Sequence, residues 1–475
     1  MKIQKLQYAV LVLMLMMTLS KVQGQTSDEK YRKPIVETIK KIEAIFKVTV
    51  EDKRKLLDGK ELNYADWRIQ QGNLEVSLTN VLAPFDLTFY KEADSTYTIR
   101  KFEYHKVSVS KGQDRLDYLS GLYDTAEEWE TRKAELKKCI YTAIGLDKAP
   151  PTPKSKPILT PKRNYGNYTV ENIALEILPG VYVAGSMYKP YPLKGKHPII
   201  LTPDGHFFDE RYRKDEQYRC AMLAKMGAIV VGYDLFAWGE SKLQFPVETH
   251  QNSIAETVEV LSGIRILDYL SKLKEADPTR VGVTGGSGGG SHTMFLAAID
   301  DRVKVSAPVV MVSSYFSGGC PCESGRPIHL CGNGTNNAEI ASMMAPKPLL
   351  IVSDGGDWTK DVPEVEFPFI QRTYGFYNKK EMVKNAHFAK EGHDFGVSKR
   401  MALYPFMAEH LGLNLNKVKN AKGVIDESDC VMEAKEKLLV FGDNGERLPA
   451  NALKDIDKLY EMFGEKNHKE HEVKK

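Results

Sequence analysis

The sequence predicts an α/β fold, a mostly parallel central sheet with helices on both faces, preceded by a small α+β domain. From about residue 166 onward, short apolar runs alternate with longer helical segments, the order that a parallel sheet covered by crossover helices requires. Between about residues 30 and 101, two amphipathic helices are interleaved with short strand-like pieces, enough for a small module. The stretch APPTPKSKPILTPKR stands between the two patterns and marks a boundary, because proline spacing of that kind favours extended chain. On this reading the chain divides into residues 1–24, 25–103, 104–165, 166–413 and 414–475.

The first segment is expected to be removed. Lys2 and Lys5 precede an apolar run over 8–19, and Val22 and Gly24 stand where a signal peptidase reads small residues. The run is too short to span a bilayer, and no cysteine at the cleavage point offers a lipid anchor, so a secreted or periplasmic protein is expected. Cleavage after residue 24 takes away Lys2, Lys5 and Lys21 and no acid, and the formal charge of +3 falls to zero. A neutral mature chain argues against a nucleic-acid partner.

In the segment 25–103, Ile35, Ile39, Ile42 and Phe46 recur at helical spacing, as do Leu74, Leu78, Val81 and Phe85. Strand-like pieces follow at 48–50, 87–90 and 97–100. The stretches IVETIKKIEAIFKVTVEDKRKLLDGKELNY and GNLEVSLTNVLAPFDLTFYKEADSTYTIRK resemble the short N-terminal domain of secretins and TonB-dependent transducers. That resemblance implies an interaction module that contacts another protein and has no catalysis of its own. A charged helical stretch, EEWETRKAELKKCIYTAIGL, lies in the segment 104–165.

In the segment 166–413 the runs 173–178 and 181–187 flank Pro179-Gly180 and read as a hairpin. Strands are expected at 198–201, 228–232, 281–284, 303–312 and 348–353, with helices at 217–226, 256–273 and 291–299. The last segment offers a strand-like 437–441, a helix near 454–463 and a solvated tail.

The strand at 281–284 runs into Gly285-Gly286-Ser287-Gly288-Gly289, and a helix follows. A serine on so tight a strand-to-helix turn needs small neighbours, because strand and helix must approach without a Cβ between them. Walker and dinucleotide-binding patterns do not fit, since Ser291 stands where each demands another residue. A serine nucleophile requires a base and an acid, expected in the order serine, acid, histidine. The strand at 348–353 ends in SDGGDWT, where Asp357 has more reach than Asp354, and Glu323 is a third candidate acid. Of the five histidines that follow, His387, His393, His410, His468 and His471, only His393 stands in a glycine-bounded loop before a helix, in EGHDFG. The first backbone N–H of the helix, at Gly288, and one from the turn at His206 and Phe207 can meet the oxyanion.

With DGHFF, YDLFAWGES, DPTRVGVTGGSGGGS, GGCPCESGRPIH, SDGGDWTKDVPEVEFP and EGHDFGVSKR in order, the segment 166–413 resembles the α/β-hydrolase superfamily, in particular exported acetyl xylan esterase-like carbohydrate esterases. Ala237 departs from the pattern, standing where a glycine is usual. The resemblance implies an α/β-hydrolase fold, Ser287 as nucleophile, His393 as base, Asp357 as acid, and Gly288 with the His206–Phe207 turn as oxyanion site. It implies a serine esterase removing acetyl or methyl groups from a polysaccharide or oligosaccharide, with no cofactor. Arg326 and Glu323 in the loop 317–337, with Trp358 and Trp238, are the candidate substrate contacts, Arg326 for a uronate carboxylate and the tryptophans for a sugar face. A glucuronoyl, small-molecule ester or lactone hydrolase, a peptidase, and an inactive glycan-binding envelope protein are the competing readings.

Of the six cysteines, the cluster Cys320, Cys322 and Cys331 is the expected place for a disulfide in an exported protein. No metal is expected: C-x-C with one further cysteine falls short of four ligands, and His206 has no ligand partner near it in sequence.

Overall fold

The computed structural model describes residues 31–85, 87–101 and 106–465. The expected signal at 1–24, and the tail at 466–475 with His468 and His471, lie outside the described residues. The chain forms two compact units, Met1–Tyr104 and His105–Lys475.

In the first unit the isoleucine spacing becomes one buried face of the helix Ile35–Phe46. The second helix, Leu74–Leu82, opens on Asn73, whose side chain accepts from the Val76 N–H and satisfies one of the donors a helix start leaves free. Both helices share an apolar cluster with Leu87, Tyr97 and Ile99. Those three belong to a three-stranded sheet in which Thr96–Lys101 lies between Thr49–Glu51, parallel to it, and Leu87–Ala93, antiparallel.

The second unit is built on a ten-stranded sheet. Its order is Val383–Phe388, Leu349–Asp354, Val303–Val309, Ala276–Gly286, His197–Pro203, Ile229–Tyr233, Val181–Pro190, Tyr168–Leu178 and Ile158–Leu159, with Arg163–Asn164 paired to Tyr168–Leu178 off that path. The first six run parallel. The hairpin of Tyr168–Leu178 and Val181–Pro190 continues the sheet antiparallel.

Successive side chains in a strand point to opposite faces, so a strand covered on both sides must be apolar throughout. Ile199 and Leu201 accordingly enter one core and Ile200 the other; Leu349 and Ile351 enter the first, Leu350 and Val352 the second. The helices Ile254–Leu270 and Gly288–Ile299 close the first core, Lys214–Met226 and Val397–Leu411 the second. The fold is therefore an α/β-hydrolase sheet with helices on both faces.

The stretch 105–165 and the C-terminal extension belong to this same unit. Its helix Ala126–Ala143 starts on a capping box, with Thr125 accepting from the Glu128 N–H and Glu128 from the Thr125 N–H. Cys139 on this helix is disulfide-bonded to Cys331, with Cα atoms 5.6 Å apart, whereas Cys320 and Cys322 are free. The expectation of a bridge within the cysteine cluster is corrected accordingly: one member is bridged, to a partner 192 residues earlier.

The expected strand at 437–441 is also corrected. Lys435–Leu438 is a 3₁₀ turn, and the N–H groups of Val440 and Phe441 donate to the Glu240 carboxylate, at 3.0 and 2.7 Å. A side-chain carboxylate as acceptor removes the need for a neighbouring strand.

Candidate active site

The strand Ala276–Gly286 delivers the chain to Ser287, which sits at φ 56° and ψ −124°, and the helix Gly288–Ile299 starts at the next residue. A non-glycine residue in that region costs about 1–3 kcal/mol, so it persists only where its surroundings dictate it. They do so here: the Ser287 N–H donates to the Val309 carbonyl at 3.0 Å, and the Ser287 carbonyl accepts from Gly290 and Ser291. The flanking glycines make the turn possible. A Cβ on Gly285 would stand 2.6 Å from the Pro203 carbonyl oxygen, and one on Gly289 only 2.2 Å from the same atom.

His393 Nε2 lies 2.9 Å from Ser287 Oγ, and its Nδ1 lies 2.6 Å from Asp357 Oδ2. An ionised carboxylate can only accept, so Nδ1 carries the proton; in the neutral ring Nε2 is then an acceptor, and the Ser287 hydroxyl donates to it. The other Asp357 oxygen accepts from the Thr359 N–H and hydroxyl, each at 2.6 Å, which fixes the carboxylate. Ser287 and Asp357 are nearly buried, and the histidine between them is 27% exposed, open to an incoming molecule.

Asp354 is placed elsewhere. It is fully buried, its Oδ1 accepts from the Gly356 N–H, and its Oδ2 faces the buried Lys399 ammonium at 3.0 Å. Burial and the charge of Asp357 push its carboxyl up, against the pull of Lys399. Lys399 also donates to the Gly392 carbonyl at 2.6 Å and to Asp394 at 2.7 Å. It thus ties the loop that carries His393 to the strand end that precedes Asp357, a role the sequence reading missed.

Aromatic rings frame the histidine. Phe207 stacks on His393 at 5.7 Å between centroids, Trp358 lies at 4.6 Å, and Phe316 stacks behind Trp358 at 4.0 Å. Phe207 and His206 belong to the turn after the strand His197–Pro203, which touches the serine turn: a Cβ on Gly205 would stand 2.2 Å from the Gly286 carbonyl oxygen, and one on Gly288 2.6 Å from the His206 ring. The N–H of Gly288, first in the helix that follows Ser287, has no acceptor within that helix and can meet an anion.

Trp358 is the one candidate substrate contact that touches the triad. Arg326 is engaged elsewhere: its guanidinium donates to Thr257 and to Glu465, at 2.8 Å each, so the expected carboxylate partner is already in the chain. Glu323 is buried and accepts from Ser291 Oγ at 3.0 Å and the Gly319 N–H at 2.7 Å, behind the serine helix rather than in front of it. Burial pushes its carboxyl up. Trp238 packs at 5.6 Å against His250 and 6.0 Å edge-on to His206. Ala237 holds φ 52°, so alanine here adopts the left-handed backbone that a glycine usually supplies.

His206 does have ligand-type partners: His250, Cys320 and Cys322 come together with it, although they lie 44, 114 and 116 residues away. Spacing along the chain gave no hint of this.

No family model matches the chain. Among solved structures it is similar to methylesterase BT1017, with 44% identity and a TM-score of 0.76 over 92% of this chain and 97% of that one. A glucuronoyl esterase from Solibacter usitatus matches at 16% identity and a TM-score of 0.44, over 60% of this chain and 94% of that one. Among curated proteins, YtaP of Bacillus subtilis (strain 168), whose name calls it a hydrolase, is 25% identical over 191 residues. That match spans 36% of this chain and 62% of YtaP, so the chain spans less than two thirds of this relative's length.

Proposed function

The chain belongs to the α/β-hydrolase esterase family of methylesterase BT1017, and from that premise we propose that it is an exported serine esterase that releases methanol from methyl-esterified uronates of a polysaccharide. The observation that carries the reading is the unbroken hydrogen-bonded series Ser287–His393–Asp357 on a turn with φ 56°. The choice of methyl over acetyl follows the relative's name, and the polysaccharide follows the resemblance of the sequence motifs to carbohydrate esterases.

Ser287 attacks the ester carbonyl as His393 Nε2 takes its proton, and Asp357 stabilises the imidazolium through Nδ1. The oxyanion of the tetrahedral intermediate is met by the Gly288 N–H and by the turn at His206 and Phe207; a donor of this kind is worth about 3–4 kcal/mol. His393 then protonates the departing methoxide. For a methyl ester the acyl group left on Ser287 is the uronate itself, still joined to its polysaccharide, and water attacks that ester with His393 again as base. For an acetyl ester the sugar would leave first and a two-carbon acyl group would stay behind. The two reactions therefore differ in what is attached to the enzyme between steps.

Release of methanol and of acetate from methylated pectin, acetylated xylan and their oligosaccharides, with a glucuronoyl ester, a lactone and a peptide as further substrates, tests the reading on wild type and Ser287→Ala. Methanol release that vanishes in the variant supports it. Acetate release, or turnover of one of the last three alone, replaces the substrate; equal, negligible turnover by both proteins favours a glycan-binding protein. The segment 25–103 enters the proposal as an interaction module, and a chain lacking it is expected to hydrolyse oligosaccharide esters at the full rate.

A further inference from the structure

Beside the oxyanion turn, on the side away from His393, four ligand-type atoms converge. His206 Nε2 lies 2.7 Å from His250 Nε2, 3.3 Å from Cys320 Sγ and 3.2 Å from Cys322 Sγ; Cys320 Sγ lies 3.6 Å from His250 Nε2, and all four fall within 4.8 Å of one another. They come from three separate loops: the turn after His197–Pro203, the 3₁₀ segment Val247–Gln251, and the start of the short helix Pro321–Ser324. His250 and Cys322 are buried.

Hydrogen bonding alone does not account for this arrangement. His250 Nδ1 lies 2.5 Å from the Phe236 carbonyl oxygen, an atom that only accepts, so Nδ1 carries the proton and Nε2 presents a bare lone pair to the cluster. That is how a metal-bound histidine is held, with its second nitrogen donating to a carbonyl. Glu259 stands behind it, 3.8 Å from the same Nδ1, and accepts from the Phe236 N–H. His206 Nε2 has at most one hydrogen to offer and three atoms crowded on it. An ion needs the reverse, several lone pairs aimed at one point. In a tetrahedral zinc site with bonds of about 2.0–2.1 Å to nitrogen and 2.3 Å to sulfur, neighbouring ligand atoms stand about 3.3–3.8 Å apart; the two separations from Cys320 Sγ, 3.3 and 3.6 Å, fall in that range, and the two others from His206 Nε2, 3.2 and 2.7 Å, are shorter.

We propose that His206, His250, Cys320 and Cys322 form a structural zinc site that clamps the oxyanion turn to the loops behind it. Two imidazoles and two thiolates are a donor set of intermediate softness that suits Zn²⁺ and closes its coordination shell, so the ion has no open position for substrate. Binding releases the proton of each thiol, and His206 and Cys320, which are partly exposed, offer the way in. Glu259 and His292 also approach Cys322, but that second set brings only three donors, one of them shared. The clamp would hold the His206 ring, and with it the Gly205–Phe207 backbone, against Gly288. The donor geometry stands independently of which ester the enzyme cleaves.

The test is elemental analysis of the full-length mature chain, made in zinc-supplemented medium and dialysed, beside the Cys322→Ser and His250→Ala variants, with cobalt(II) as a spectroscopic probe. About one zinc per chain in the wild type, a visible cobalt–thiolate spectrum after exchange, and at least a tenfold drop in retained zinc in either variant support the site. Where a variant does not fold, the wild-type zinc content and cobalt spectrum decide. No retained zinc while four cysteine thiols titrate as free would overturn the proposal, and so would a Cys320–Cys322 disulfide mapped in the native protein.

Discussion

The turn at Gly205–Phe207 has a different cluster on each side, and the contrast is instructive. Toward Phe207 stand Ser287, His393 and Asp357, where every donor faces one acceptor and the hydrogens can be assigned without remainder. Toward His206 stand His250, Cys320 and Cys322, where lone pairs outnumber the hydrogens available to separate them. A hydrogen-bonded series is a device for moving a proton in one direction. A crowd of bare ligand atoms moves nothing, and its use is to hold a cation. The same turn serves both, and the two halves of the site can be broken separately.

The largest effect is expected on the first side alone. Asp357→Asn leaves the shape and reverses the polarity at His393 Nδ1, so kcat should fall about 10⁴-fold, as loss of the correct tautomer does in serine hydrolases, while zinc content and melting temperature hold. Comparable turnover by Asp357→Asn and wild type would remove Asp357 from the triad. Asp354→Asn is the matching control three residues away. It strips a buried partner from Lys399 but leaves Asp394, so the expected cost is roughly 2 kcal/mol of stability, short of the 3–5 kcal/mol of a buried pair broken outright, with a far smaller effect on kcat. Denaturant midpoints and steady-state kinetics on the two variants separate the roles.

On the second side, stripping zinc with a chelator should lower kcat more than it raises KM, because it loosens the turn that meets the transition state rather than the substrate chain. A KM effect alone would place the clamp under substrate binding instead.

The smallest effect lies at the other end of the strand that leads to Ser287. Asp277 accepts from Thr279 and, at 2.7 Å, from Arg280, and these bonds push its pKa down to about 2 from an ordinary 3.8. A carboxyl depressed by folding contributes stability above its unfolded pKa and loses it as pH falls toward the folded one. Between about pH 4 and pH 2, Asp277→Asn should therefore flatten the pH dependence of stability slightly and leave activity at neutral pH untouched. An unchanged slope would mean that solvent screens the pair completely.

What could be read from the sequence was what the chain specifies locally. The serine turn shows because its glycines are needed within five consecutive positions, Asp357 because it stands just past a strand that the apolar pattern reveals, and His393 because it stands in a glycine-bounded loop before a helix. The strand Val383–Phe388 did not show, since Lys384, Asn385 and His387 interrupt its apolar run at the edge of the sheet. Pro368 hid the helix Glu366–Gly375 by standing inside its first turn, where proline is tolerated. Arg326 looked like a substrate contact because its partners, Thr257 and Glu465, are remote in sequence. The four zinc ligands were hidden for the same reason, as was Cys139 for Cys331. Long-range pairing is set by topology, and no window of the sequence contains it.

The bridge between Cys139 and Cys331 gives the chain the covalent outline of a ring with two tails. The ring carries the nucleophile, the oxyanion turn and all four proposed zinc ligands, while Asp357 and His393 ride on the trailing tail. A protease that nicks the ring once, for instance in its proline-rich stretch, cuts the backbone yet leaves one molecule, which separates into two pieces only on reduction. The half of the site that holds Ser287 and the oxyanion turn is thus fastened against a single cut in the ring, and the half that holds Asp357 and His393 depends on folding alone.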